Sequence, residues 1–231
     1  MRDLLTRSLP DEVRARLGVD SETLVQAGLA IRNAKGEIVE ARMRTVEARA
    51  NEDGTRGVVG YATTWDTWYD VAGGPPYGWS ESIAKGAATK SLAERDDVRF
   101  LFDHEGSPMA RSRGLSIDTM KLTADDMGLQ FDIPALDETR NVDAMKLLSA
   151  IDRGDVDQCS FAFLVIRQEW NEDYTERRIL ELKLFDVSAV TYPANPATII
   201  GARSAAAPDP IEGENRGMSL RLALALAESI G

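Results

Sequence analysis

The chain has 231 residues, a net charge of −11, 43% hydrophobic residues and 28% charged residues, which is the profile of a globular domain long enough to bury a core. The acidic balance argues against a surface built to grip phosphate backbones and so against nucleic acid as a partner. One histidine, His104, excludes any metal site within the chain that needs two imidazoles; one cysteine, Cys159, excludes an internal disulfide and a four-cysteine zinc site.

The N-terminal stretch MRDLLTRSLPDEVR lacks the apolar core and small-residue cleavage site of a signal peptide. No apolar run approaches the roughly 18–20 residues that span a bilayer, so no membrane partner is expected. Residues 1–39 read as a polar extension without core residues, with a helix near Ser21–Asn33. Strand patterns start near Ala41 and continue through Gly57–Thr63 after the turn Asn51-Glu52-Asp53-Gly54. Trp65–Trp79 reads as an aromatic, glycine- and proline-rich loop, Glu81–Glu94 as a helix, Val98–His104 as a strand and Ser107–Arg113 as a polar loop. Leu115–Thr123 and Leu129–Ile133 form a hairpin around Asp125-Asp126-Met127-Gly128. Val142, Met145, Leu148 and Ile151 recur at helical spacing, predicting an amphipathic helix over Asn141–Arg153. Two long strand patterns follow, Gln158–Trp170 and Tyr174–Val190, joined at Asn171-Glu172-Asp173 and stopped by Pro193-Ala194-Asn195-Pro196. Residues 203–217 have the composition of a linker, and 218–231 form a short apolar tail. The expected class is a β-rich α+β domain over about 40–202 with extensions on both sides.

Strand side chains alternate faces. Val98, Phe100, Phe102 and His104 then share one face, so Asp103 is expected outside, near Arg99, rather than beside its neighbour. Leu180, Leu182, Leu184 and Asp186 share a face too, and a carboxylate that continues an apolar face is costly unless it meets a charge or a donor. His104 has a suitable shape and a tunable proton; Arg111 or Arg113 would also serve. Ser160 shares its face with Ala162, Leu164 and Ile166, and small Ala162 leaves room beside the hydroxyl. A nucleophilic serine needs a base, and the base needs a group to hold its tautomer. Ser160, His104 and Asp186 supply those three chemistries on three strands. Cys159 is the alternative nucleophile, but it points away from Ser160 and reads better as a small buried hydrophobe. Structural roles for each residue alone, a strand-end histidine or a tolerated serine, stay open at this point.

Four stretches in order carry a family resemblance. They are Val98-Arg99-Phe100-Leu101-Phe102-Asp103-His104, Leu122 running to Gly128-Leu129, Ser160-Phe161-Ala162-Phe163, and Leu184-Phe185-Asp186-Val187-Ser188-Ala189-Val190 leading into Pro193-Ala194-Asn195-Pro196-Ala197. Over about 40–202 the chain resembles the prohead serine proteases of tailed bacteriophages, relatives of herpesvirus assemblins. The resemblance implies a small closed β-barrel flanked by helices. It also implies a serine endopeptidase with the catalytic residues His104, Ser160 and Asp186 and no cofactor or metal. A carboxylate stands where assemblins use a second histidine. The implied substrates are the major capsid protein or a scaffold protein, and the chain itself; the small-residue composition of the linker at 203–217 makes it the expected self-cleavage region. The implied place is the procapsid in the host cytoplasm, and a homodimer is expected by analogy with assemblins. The alternative is an assembly protein that keeps the protease fold without the activity. An unrelated serine esterase is disfavoured, since Ser160 lies in Gln-Cys-Ser-Phe-Ala and not in a Gly-x-Ser-x-Gly elbow.

Overall fold

A computed structural model describes residues 9–18, 25, 30–32, 38–52 and 54–191, with the backbone alone described at 31, 32, 38, 41–47 and 49. The elements are α1 (Asp11–Leu17), β1 (Ala30–Arg32), β2 (Ile38–Ala50), β3 (Arg56–Thr64), β4 (Tyr69–Val71), β5 (Trp79–Ile83), α2 (Thr89–Ala93), β6 (Val98–Phe102), β7 (Glu105–Ser112), β8 (Lys121–Ala124), β9 (Gly128–Ile133), α3 (Val142–Asp152), β10 (Gln158–Trp170) and β11 (Glu176–Val190). The Pro193–Pro196 stop, the linker at 203–217 and the tail at 218–231 lie outside the described residues, as does most of the predicted helix near Ser21–Asn33; its end, Ala30–Arg32, is strand β1.

The molecule is mixed α/β, mostly strands with few helices. Its strands pair in the order β4-β5-β11-β10-β2-β3-β9-β8, with β1 on β2, β6 on β11 and β7 on β6. Among the described residues no pairing joins β8 to β4, so closure of the ladder into the expected barrel is not seen there. Two long strands organise it. One edge of β11 takes β5 in parallel along Glu176–Ile179 and β6 in parallel along Asp186–Ala189, while β10 runs antiparallel along the other edge. β2 pairs with β10 through Glu40–Thr45 and with β3 through Val46–Ala50. The β10–β11 hairpin turns where expected: Asn171 Oδ1 accepts the backbone N–H groups of Thr175 and Glu176 at 2.9 and 3.0 Å, the local bond that makes asparagine a turn residue.

Five expectations need correction. The helix expected over Glu81–Glu94 does not start at Glu81: Trp79–Ile83 is strand β5, because Glu81 is drawn inside to meet Arg177 and Ser82 pairs with Arg178; helix is confined to Thr89–Ala93, beyond the turn at Gly86, whose φ is +90°. The expected loop at 65–79 contains strand β4, and the expected loop at 107–113 is largely β7, hydrogen-bonded to β6. α3 has the expected span, capped by Asn141 Oδ1 on the N–H groups of Asp143 and Ala144, yet Val142 and Met145 are exposed. Its core stripe is Ala144, Leu147, Leu148 and Ile151, in which small Ala144 lets the helix lie close to the sheet. Finally, the segment read as an extension without core residues supplies Leu9, Val13, Leu17 and Ala30 to a second apolar cluster with Val71, Ala72 and Trp79. The main core lies around Phe100, Phe131, Phe161, Phe163, Leu184 and Val187, backed by α3.

Candidate active site

The site begins with a tight turn. β6 and β7 join through two residues, Asp103 and His104, with Phe102 paired to Glu105 on either side. Both turn residues have positive φ, 51° and 59°. That is the left-handed pattern whose twist suits a two-residue hairpin. Asparagine, aspartate and histidine enter this region more readily than most side chains, at roughly 1–2 kcal/mol per residue. Strand alternation therefore stops at Phe102, and His104 does not continue the apolar face as the sequence reading had it. The turn lifts the imidazole off that face and lays it against β11.

There His104 Nδ1 lies 2.7 Å from Asp186 Oδ1, with the two side chains 11% and 7% exposed. A carboxylate accepts, so the Nδ1 proton is donated to Asp186, and Nε2 is left as the acceptor in the neutral ring. Asp186 Oδ1 also accepts from the Ser188 hydroxyl at 2.9 Å. The arginines that offered the rival pairing are engaged elsewhere: Arg111 Nε reaches Asp97 at 2.5 Å and Arg113 Nε faces Asp118 at 3.5 Å. Asp97 is held below the usual carboxylate range chiefly by the hydrogen bond from Arg111.

Asp186 does not share the core face of Leu182 and Leu184. Ala162 pairs with Asp186 and Phe163 with Leu184, so Phe185 is an extra residue that shifts the ladder. Beyond this bulge the core residues of β11 are Val187 and Ala189, and Asp186 and Ser188 point to the other face. The bulge rotates Asp186 toward the imidazole.

Ser160 lies on the neighbouring strand and on that same face. Cys159, Phe161 and Phe163 enter the core, which puts Ser160 and Ala162 opposite them, directly across from Ser188 and Asp186. The reading of Cys159 as a buried side chain facing away from Ser160 holds: it is 0% exposed. Ser160 thus stands diagonal to Asp186, at a spacing of about 7–8 Å for such pairs. Its hydroxyl makes no hydrogen bond with His104 among the described residues. The structure joins His104 to Asp186 directly and places Ser160 beside them without a direct bond.

Two participants escaped the sequence reading. Ser188 was legible in principle, since Asp186 and Ser188 stand two apart on one strand. Asp103 was not, because it was assigned to Arg99. In the structure Arg99 pairs with Asp97 at 3.0 Å, and Asp103 accepts from Thr191 through both carboxylate oxygens, from the backbone N–H at 2.7 Å and from the hydroxyl. No described group of three or more His, Cys, Asp and Glu side chains could hold a metal ion.

The family model described as caudovirus prohead serine protease matches residues 44–209. Among solved structures, the capsid assembly protease gp21 of bacteriophage T4 aligns with 67% of this chain and 99% of its own, at 14% identity and a TM-score of 0.37. No curated protein matches. Extending over most of the chain, the family match covers both the hairpin that carries His104 and the strands of Ser160 and Asp186, and the chain belongs to the caudovirus prohead serine protease family.

Proposed function

We propose that the protein is a serine endopeptidase that cuts capsid or scaffold protein within the procapsid, in the host cytoplasm, and cuts itself in 203–217. The observation that carries this reading is the His104–Asp186 hydrogen bond, made on the sheet face that also presents Ser160. His104 Nε2 takes the hydroxyl proton as Ser160 Oγ bonds to the scissile carbonyl carbon. The tetrahedral intermediate then expels the amine, which receives that proton from His104. Water enters by the same route in reverse and releases the acid from Ser160. Asp186 holds the Nδ1 tautomer throughout and faces the imidazolium that forms in each half. The missing Ser160–His104 bond is compatible with this, since catalytic hydrogen bonds are often loose before substrate binds. The protease domain of this reading is 40–202, its sheet curling into a barrel and pairing with a second copy as a dimer.

Co-expression with the phage's own major capsid and scaffold proteins tests the nucleophile. Wild type should shorten the capsid or scaffold protein, and Ser160→Ala should lower the rate by at least about a thousandfold. Equal shortening by both forms would remove Ser160 from the chemistry. If neither form shortens either protein while procapsids still assemble, the chain is an assembly protein with the fold of a protease.

A further inference from the structure

We infer that Asp103 is a positioning residue that locks the His104 turn onto the end of β11. The inference rests on the protease reading of His104 and Asp186 and adds to it what holds the base in place. His104 belongs to no regular element. It sits at the second position of a two-residue turn whose left-handed conformation neither residue adopts by default. Its strand pairing on the β7 side is irregular, with the register broken between Phe100 and Phe102, and the regular β6–β11 pairing ends at Phe102, so beyond Phe102 strand pairing alone holds the turn weakly. What fixes it is Asp103. Its backbone N–H donates to Ala189 O at 2.8 Å. Its carboxylate accepts from the Thr191 N–H at 2.7 Å and from the Thr191 hydroxyl. These bonds reach β11 on the far side of Ser188 from Asp186, so they tie the turn to the strand that carries the partner of His104. Asp103 and Thr191 are exposed, so their bonds add little to global stability. Their effect is on angle: they set where the imidazole points.

Three substitutions separate the lock from the turn. Asp103→Gly keeps a residue that favours positive φ and removes the carboxylate. Asp103→Asn keeps both the turn preference and an acceptor for the Thr191 N–H. Thr191→Val removes only the hydroxyl. Because His104 is the only histidine in the chain, protein purified without a histidine tag gives one set of imidazole nitrogen signals by NMR. Wild type should show a slowly exchanging Nδ1 proton. Asp103→Asn should keep it, and Asp103→Gly should lose it while the backbone amide spectrum stays folded. On a peptide spanning a mapped cleavage site, Asp103→Gly should lower kcat by about tenfold to a hundredfold at nearly unchanged KM, the effect of misplacing a catalytic group. Asp103→Asn should stay within about threefold of wild type.

The inference is overturned if Asp103→Gly retains both the protected Nδ1 proton and the wild-type kcat. Should Asp103→Gly fail to fold, Thr191→Val decides by the same readings: faster Nδ1 exchange and a reduced kcat are expected, and wild-type values for both would overturn the inference. The NMR arm needs no activity, so it distinguishes failure of the lock from failure of the protease reading, which Ser160→Ala reports.

Discussion

At the scale of single residues, Asp186 has the most constrained task. Its Oδ1 accepts from His104 Nδ1 at 2.7 Å and from Ser188 Oγ at 2.9 Å, with little solvent to share the charge. Asp186→Asn keeps the volume and can keep an oxygen toward Nδ1, but the charge opposite the imidazolium is gone. Its amide end can also present N–H groups and favour the wrong ring tautomer. The rate of capsid cleavage should fall by about two to four orders of magnitude, as for a triad aspartate replaced by its amide. The thermal midpoint should hardly move. A cleavage rate equal to wild type would make Asp186 a structural ligand of His104 and no more. His104 stood out as a partner for Asp186, beside Arg111 and Arg113, because imidazole and carboxylate were each read as continuing an apolar strand face, which neither does. How they meet was not legible. The turn at Asp103-His104 and the bulge at Phe185 are backbone decisions, and alternation along a strand carries no mark of either.

Individual elements repeat that lesson and set its limits. Expected spans survived for α3, for β10 and for β9, and the hairpin turn at Asp125–Gly128 stands where expected, but its first strand is only Lys121–Ala124 where Leu115–Thr123 was expected. Expected spans failed at β4 and β5, where short segments are strands only because a neighbour offers an edge, β11 to β5 and β5 to β4. Periodicity also misjudged β11. Its core residues Ile179, Leu182, Leu184, Val187 and Ala189 step irregularly, because Leu180 and Phe185 are extra in the ladder. The β8–β9 hairpin supports a prediction of its own. Asp125 Oδ1 accepts the N–H groups of Met127 and Gly128, each at 2.8 Å, and Oδ2 accepts the Tyr61 hydroxyl at 2.7 Å. The Tyr61 bond first, then the Gly128 N–H, hold the carboxyl below its ordinary range, and the same bond raises Tyr61. A carboxyl depressed in the folded state stabilises fully above its unfolded value of about 3.9 and loses that contribution as pH falls through the folded value. Asp125→Asn should therefore be less stable than wild type at neutral pH, and the gap in urea midpoint should close as the pH drops below about 4. A gap that is constant with pH would mean that Asp125 contributes shape rather than charge.

Across the whole molecule, the strand that carries the site is anchored at its other end by a buried charge cluster. Arg177, 0% exposed, reaches Glu40 on β2 at 2.6 Å, Glu81 on β5 at 3.0 Å and Gln168 on β10 at 2.7 Å. Tyr69 and Trp79 donate to Glu81, and the guanidinium lies 5.4 Å from the Trp170 ring centre. One side chain thus ties β2, β5 and β10 to β11 where the main core gives way to the second apolar cluster. A buried arginine of this kind is weak evidence of net stability, but removing it alone takes a charge partner from carboxylates that stay buried. Arg177→Met should cost about 3–5 kcal/mol in urea unfolding, because the guanidinium that Glu40 and Glu81 share in the interior is gone. Neutralising them in the triple variant Arg177→Met, Glu40→Gln, Glu81→Gln should recover at least about half of that loss. If the triple variant is no more stable than the single one, the loss comes from packing against Trp79 and Trp170 instead. The cluster stands at the opposite end of β11 from Asp186 and touches neither His104 nor Ser160. Cleavage per folded molecule should therefore match wild type in the triple variant, even where its unfolding midpoint does not.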